Sequence, residues 1–223
     1  MPRTFDREAA ITRSLLGWGV VAGPFYVAVG LALALTRPGF RLAEHALSLL
    51  MLGEWGWLQR ANLVLSGLMV LAAAYGIVRA VRDGRGLAMG VLSGVYGVSL
   101  WGAAAFPPDP MGGFPPGAAQ GIATTSGILH LVFGAIGFLA LAAAAFAYAG
   151  WSRATGAGRP VVGVLLGGLV LIGFFGGAVL SSSVAGVALL WLAVLASWAW
   201  LALASVDLYR FTPHPDPSRR SSS

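Results

Sequence analysis

The feature that most constrains this chain is a series of six apolar stretches, each of roughly 20 residues. A helix of that length crosses the hydrocarbon core of a bilayer, which is about 30 Å thick. In lipid the backbone must satisfy its own hydrogen bonds, so such segments are helical. The stretches lie at roughly 15–35, 61–80, 87–106, 126–149, 161–180 and 187–206. We therefore predict an all-α, polytopic membrane protein, a bundle of six transmembrane helices.

The composition agrees with a single membrane domain. The chain is 57% hydrophobic and 10% charged, whereas roughly 25% of the residues of an average soluble domain are charged. There is no cysteine, which excludes disulfides, thiol catalysis and thiolate metal sites. We predict a cytoplasmic N-terminal tail at 1–14, a transmembrane domain at 15–206 and a disordered cytoplasmic tail at 207–223.

Arginine supplies all 14 basic residues, and its distribution predicts the orientation. Arg37, Arg41 and Arg60 lie in the connection between predicted helices 1 and 2; the others lie in the tails and in connections 2–3 and 4–5. Because cytoplasmic loops are enriched in basic residues, we predict that both termini are cytoplasmic, in a bacterial inner membrane. The net charge of +6 then reflects orientation. No basic soluble face remains for a nucleic acid, so the expected partners are membrane lipids or another membrane protein.

The long connection between predicted helices 1 and 2 carries an amphipathic pattern. Within residues 36–60, Leu42 and Leu49 fall on one apolar face. This pattern predicts a short interfacial helix lying in the headgroup region. Trp55 and Trp57 are the residues that would anchor it there.

The second long outer connection, residues 107–125, is rich in proline and glycine and predicts an irregular loop. The double proline at its start ends predicted helix 3, because proline cannot continue the helical hydrogen bonds. Asp109 follows in a stiff turn. We expect this loop to fold back over the bundle and to bring Asp109 toward His130 or Arg60.

Polar side chains converge on the outer ends of the predicted helices. His130 lies one turn from Ser126 and Gly134, on a face of small residues that is typical of a helix interface. Asn62 and Ser66 form a similar pair on predicted helix 2. We predict a buried polar pocket between helices 2 and 4, covered by the two long connections. Its candidate residues are Ser48, Asn62, Asp109, His130, His45, Glu44 and Glu54.

Small residues also recur at a spacing of four on predicted helix 5, at Gly163 and Gly167 and again at Gly173 and Gly177. Lipid supplies no hydrophobic drive for helix association, so membrane helices depend on close packing through small residues. We expect these glycines to lie at helix contacts.

Three functions are open for the pocket. No motif that carries chemistry is present, which favours non-catalytic binding of a lipid, a small amphiphile or a partner membrane protein, with no cofactor. A metal-dependent hydrolase of lipid-like substrates would use His45, Asp109 and His130, although no HExxH spacing supports that site. A proton-coupled transporter of small hydrophobic compounds would use His130 as its protonation switch, and would need polar residues in the inner half too.

The same residues have structural interpretations as well. His130 can act only as a hydrogen-bonding residue of a helix interface, and Asp109 only as the cap of its turn. Asn62 can serve the start of its helix. His45 and Glu54 can be solvated residues at the membrane surface.

The stretch "ALSLLMLGEWGWLQRANLVLSGLMVLAAAYGI", followed by "AAFPPDPMGGFPPG" and "SGILHLVFGAIGF", resembles the bacterial membrane family catalogued as domain of unknown function 998. The resemblance covers roughly residues 15–206 and is most specific in the acid-bearing loop and the helix-4 histidine. The positions that match the recurrent polar residues of the family are Ser48, Asn62, Asp109 and His130. The resemblance implies a six-helix membrane protein and brings no established activity.

Overall fold

The structure, a computed structural model, describes residues 5–216. Within this range the chain is helical, and six of its helices are long and apolar enough to cross a membrane. The helices are α1 (Arg7–Thr36), α2 (Gly56–Ala80), α3 (Gly84–Ala105), α4 (Thr125–Thr155), α5 (Pro160–Val179) and α6 (Val184–Phe211). Residues 5–216 contain no β-strand. The predicted all-α class with six membrane-spanning helices is confirmed.

Local capping explains where the helices begin and end. The side chains of Asp83, Thr124 and Ser183 accept hydrogen bonds from first-turn amides of α3, α4 and α6, as good N-caps do. Gly156 ends α4 in the left-handed conformation, at φ 69°, which glycine adopts without steric penalty.

The terminal helices extend past the predicted bounds of the membrane domain. Asp6 caps α1, whose first residue is Arg7, and α6 continues to Phe211. Parts of both predicted tails are therefore helical. The remaining tail segments 1–4 and 217–223 lie outside the described residues. The cytoplasmic location of the termini stays a prediction.

The six helices form a closed ring. Each helix packs against its neighbours in the sequence, and α1 packs along α6 to complete the circle. All helices are antiparallel to their neighbours. Residues 37–55, 106–124 and 180–183 therefore meet at one end of the bundle, here called the loop end. Because α3 lies between α2 and α4, a pocket formed by those two helices alone does not exist.

The connection from α1 to α2 contains only a single short helical turn. Leu47–Met51 form a five-residue 3-10 helix, and four of its side chains, Leu47, Leu49, Leu50 and Met51, are buried. The segment therefore packs its apolar side chains into the loop end of the bundle. Trp55 and Trp57, just after it, are exposed. That the segment lies at a membrane interface stays a prediction.

Candidate functional site

The imidazole of His130 donates to backbone carbonyls at the end of α3 that would otherwise lack a hydrogen-bond donor. Its Nδ1 lies 3.2 Å from the carbonyl oxygen of Ala103 and 2.9 Å from that of Phe106. The residues four positions after these carbonyls, Pro107 and Pro110, have no N–H to donate. The imidazole supplies the missing donor. Carbonyl oxygens only accept, so Nδ1 carries the proton.

The other ring nitrogen of His130, Nε2, takes no part in the contact with α3. In the neutral ring Nε2 is then an acceptor. Among residues 5–216 it has no hydrogen-bond partner, and the half-buried side chain lines a cavity. Nδ1 of His130 therefore has a structural role, whereas Nε2 is available to a ligand.

Asp109 fixes the beginning of α4. Its carboxylate accepts from the backbone N–H of Thr124 at 3.0 Å and from the Thr124 hydroxyl. The same hydroxyl oxygen accepts from the N–H of Gly127 at 3.1 Å, which caps the helix. Nearby, the hydroxyl of Ser126 donates to the carbonyl of Pro107 at 2.8 Å. Asp109 therefore holds Thr124, the residue that caps α4, and does not cap its own turn as expected.

Asp109 and His130 line the same cavity without bonding to each other. No hydrogen bond or ion pair joins Asp109 to His130 or to Arg60 in the described part of the chain. The double-proline loop does fold back over the bundle as expected, and it brings Asp109 to the first turn of α4.

His45 joins the two long connections. Its Nδ1 accepts from the backbone N–H of Arg41 at 2.9 Å, so its Nε2 donates to the carbonyl of Gly112, 3.0 Å away. The ring is 1% exposed and packs between Phe40 and Phe114, with centroid distances of 5.2 and 5.5 Å. A solvated His45 is therefore wrong: both nitrogens are used within the fold.

Replacing His45 with phenylalanine tests this contact between the two connections. The substitution keeps a ring between Phe40 and Phe114 and removes both hydrogen bonds, leaving an N–H and a carbonyl without their buried partner. We expect the free energy of unfolding to fall by about 1–2 kcal/mol, measured by thermal or SDS-induced unfolding in detergent. Glu54→Ala, at an exposed position nearby, is the control and should change little. Equal stability of the two variants would contradict the assignment.

Asn62 belongs to a buried polar cluster between α1 and α2. Its Nδ2 donates to the carbonyl of Tyr26 at 3.1 Å and to Oε1 of Gln59 at 3.2 Å. Ser66 lies on the same buried face, as the predicted polar pair requires. Oδ1 of Asn62, Nε2 of Gln59 and the Ser66 hydroxyl have no partner within residues 5–216. The cluster lies behind Tyr26, which lines the cavity.

The cavity occupies the loop-end half of the ring and has a volume of about 280 Å³. Of the seven predicted residues, Glu44, Ser48, Asp109 and His130 line it, whereas Asn62, His45 and Glu54 do not. Most of its wall is apolar and comes from α3, α4, α5 and α6. The lining includes Leu63, Leu100, Ala103, Leu131, Gly134, Phe138, Phe174, Ala178, Leu190, Trp191 and Val194.

Aromatic rings form one side of this cavity. The ring of Trp198 lies between those of Tyr26 and Tyr96, with centroid distances of 5.2 and 5.7 Å, and all three side chains are buried. The series of rings continues through Phe138, whose ring lies 6.0 Å from that of Tyr96 and stacks on Phe174 at 4.7 Å. Sequence analysis missed these aromatic walls, because ring-to-ring contacts between distant helices leave no local pattern.

Charged groups near the cavity have partners of their own. Glu44 pairs with Arg41 on the surface. Glu54 is exposed near Arg37, whose guanidinium donates to the carbonyl of Leu52. Burial lowers the pKa of Arg37, and the negative charge of Glu54 acts in the opposite direction. Within residues 5–216 no arginine lines the cavity.

A metal centre of the predicted composition does not form. Across residues 5–216 no group of three histidine, aspartate or glutamate side chains is placed to hold a metal ion. His45 uses both ring nitrogens within the fold, and both carboxylate oxygens of Asp109 accept from Thr124. The ligands of the hydrolase alternative thus lie in separate hydrogen-bond networks.

A second polar cluster lies at the opposite end of the bundle. Arg159 donates to both carboxylate oxygens of Asp207, at 3.0 and 2.9 Å. The hydroxyl of Tyr148 donates to the same carboxylate and accepts from the backbone N–H of Arg159 at 2.9 Å. The hydrogen bond to Asp207 raises the pKa of Arg159. The cluster ties α4, α5 and α6 together.

The family model described as protein of unknown function (DUF998) matches residues 20–207. The chain belongs to this family. The matched DUF998 range contains every residue that lines the cavity and also the cluster of Tyr148, Arg159 and Asp207. No curated protein and no solved structure matches this DUF998 chain significantly.

Proposed function

We propose that this DUF998 membrane protein binds a lipid or small amphiphile in the loop-end cavity and catalyses no reaction on it. The observation that carries the proposal is the cavity itself: about 280 Å³ of mostly apolar space, with His130 and Ser48 in its wall. Ligand sites typically measure about 300–1,000 Å³ and combine apolar walls with a few polar groups. A cavity at the small end of this range suits one alkyl chain.

The position of the cavity supports access from the membrane. Leu131, which lines it, is 58% exposed on the outer surface of α4. The ring of Phe174 on α5 lies 3.5 Å from a Cβ built at Gly134 of α4, so this part of the wall is formed where α4 and α5 meet. A single-chain ligand can enter there without crossing the bundle.

No contact favours the two other candidate functions. The metal ligands of a hydrolase do not assemble. A transporter also needs polar groups along the half of the bundle opposite the loop end, and there the side chains of Arg159, Asp207 and Tyr148 bond to one another. A partner membrane protein on the same surface remains an outcome of the experiment below.

Filling the cavity tests the proposal. A Cβ added at Gly134 would meet the Phe174 ring at 3.5 Å, an ordinary contact, and the remaining atoms of a leucine at this position on the cavity wall would take up space in the cavity. We expect co-purifying lipid, measured by mass spectrometry per mole of protein, to fall at least about tenfold, equivalent to ~1.4 kcal/mol of binding energy.

The matched control lies on the same helix. Gly150 is exposed and has nothing within 4 Å of an added Cβ, so Gly150→Leu changes helix propensity equally without touching the cavity. Its lipid content should equal that of the wild type. If Gly134→Leu and Gly150→Leu retain the same lipids, the cavity is not the binding site. Loss of a co-purifying protein in place of a lipid would favour the partner alternative.

A further inference from the structure

The binding energy of an amphiphile in this cavity must come mainly from its head. A hydrocarbon chain that leaves the bilayer for an apolar cavity exchanges one apolar environment for another, so it gains little hydrophobic free energy. Selectivity then depends on the polar groups that the cavity wall presents. These groups identify the chemical class of the ligand, an identification that rests on the proposed function.

The wall contains hydrogen-bonding groups without partners. Nε2 of His130 is an acceptor, because Nδ1 donates to the carbonyls of α3. Ser48 and Ser181 also line the cavity, and in the described chain their hydroxyls bond to no other group. These three positions offer one acceptor and two groups that both donate and accept.

The wall offers no positive charge to pair with an anionic head. Among the arginines that the structure describes, none lines the cavity, and its two acids, Glu44 and Asp109, would repel a carboxylate or phosphate. Both acids are themselves engaged, by Arg41 and by Thr124. Transferring an ion into such a site without a partner costs far more than transferring a hydroxyl that finds a hydrogen bond.

We propose that the ligand is a neutral, single-chain amphiphile whose hydroxyl head donates a hydrogen bond to Nε2 of His130. The hydroxyls of Ser48 and Ser181 are available to its oxygen. A long-chain alcohol has this chemistry. A fatty acid, a phospholipid or a quaternary ammonium amphiphile does not.

Brominated probes test the head group directly. Trp191 and Trp198 line the cavity, and a bromine atom quenches tryptophan fluorescence on contact. The probe is 11-bromoundecan-1-ol, compared with bromoundecane, 11-bromoundecanoate at a pH where it is ionised, and 11-bromoundecyltrimethylammonium. Quenching is taken as the difference between wild type and Gly134→Leu, which removes the contribution of probe dissolved in the detergent.

The alcohol should half-saturate this quenching at a concentration about tenfold below that of bromoundecane, the equivalent of one hydrogen bond. The two charged probes should be weaker still. In His130→Asn, which keeps an N–H donor near Nδ1 and removes Nε2, the alcohol should bind no better than bromoundecane, whose own affinity is unchanged. The wild-type series decides the question even where that variant folds poorly.

The outcomes separate the two proposals. If no probe gives quenching that depends on Gly134, the cavity binds no amphiphile and the proposed function fails. If a charged probe binds as well as the alcohol, the binding function stands and the neutral hydroxyl head is wrong. If bromoundecane equals the alcohol, the cavity binds the chain alone and Nε2 of His130 recognises nothing.

Discussion

Replacing Asp207 with alanine should lower the free energy of unfolding by about 3 kcal/mol. The substitution removes both the ion-pair partner of the Arg159 guanidinium and the acceptor of the Tyr148 hydroxyl. Breaking a buried ion pair from one side typically costs about 3–5 kcal/mol, because the other charge remains without compensation. The lower end applies here, since the side chain of Asp207 is 7% exposed but that of Arg159 is 43% exposed and can reach water.

A surface ion pair provides the comparison. Arg41 and Glu44 have side chains that are 60% and 44% exposed, and such pairs contribute about 0–1 kcal/mol. Glu44→Ala should therefore leave SDS-induced or thermal unfolding in detergent almost unchanged. Asp207→Asn, which keeps an acceptor for Tyr148, should fall between the two. Asp207→Ala as mild as Glu44→Ala would show that the cluster does not hold α4, α5 and α6 together.

The helices themselves could be predicted because lipid leaves the backbone few choices. The apolar stretch at 161–180 corresponds to α5, Pro160–Val179, almost residue for residue. Proline at its first turn and polar residues beyond both ends define it locally. By contrast, the closure of the ring by α1 against α6 depends on contacts between the two ends of the chain, and no local pattern reports it.

The sequence predicted which residues lie near the site but not which atoms they contact. Helix polarity alone places His130 and Asp109 at the same end of the bundle, and both do line the cavity. Their partners were not predictable. His130 bonds to carbonyls that lack donors because of two prolines on another helix end, and His45 bonds to Gly112, 67 residues away. Such pairings depend on how the loops pack against the folded helix bundle, which the local sequence does not determine.

Asp207 shows the same limit at the other end. Its nearest basic residue in the sequence is Arg210, one turn later on α6. The structure pairs it with Arg159, which caps the beginning of α5. Proximity along the chain alone does not identify this partner, because the arginine from the neighbouring helix end approaches with both of its donors aligned.

Close packing of α5 against α6 should make Gly173→Ala destabilising by about 1–3 kcal/mol. A Cβ at Gly173 would come within 2.7 Å of the backbone nitrogen of Ala193 and of the carbonyl oxygen of Leu189. Backbone atoms of a helix cannot rotate aside as a side chain can, so the two helices must separate. Of the glycines expected at helix contacts, Gly173 and Gly177 lie against α6, whereas Gly163 and Gly167 lie against α4.

Gly168→Ala is the matched control on the same helix. Nothing lies within 4 Å of a Cβ added there, so alanine should stabilise α5 by up to about 1 kcal/mol through helix propensity. Both variants gain that propensity, so the difference between their stabilities in detergent unfolding, about 1–4 kcal/mol, measures the steric overlap of the new Cβ with α6. Equal stabilities would mean that α5 and α6 are not in close contact.

The same pair of variants links packing to binding. Phe174 follows Gly173 directly and lines the cavity together with Leu190 of α6. Separating α5 from α6 at Gly173 should therefore widen the cavity wall at Phe174 and reduce the co-purified lipid, whereas Gly168→Ala should retain it. A destabilised Gly173→Ala protein that still holds its full complement of lipid would show that the ligand does not contact this wall.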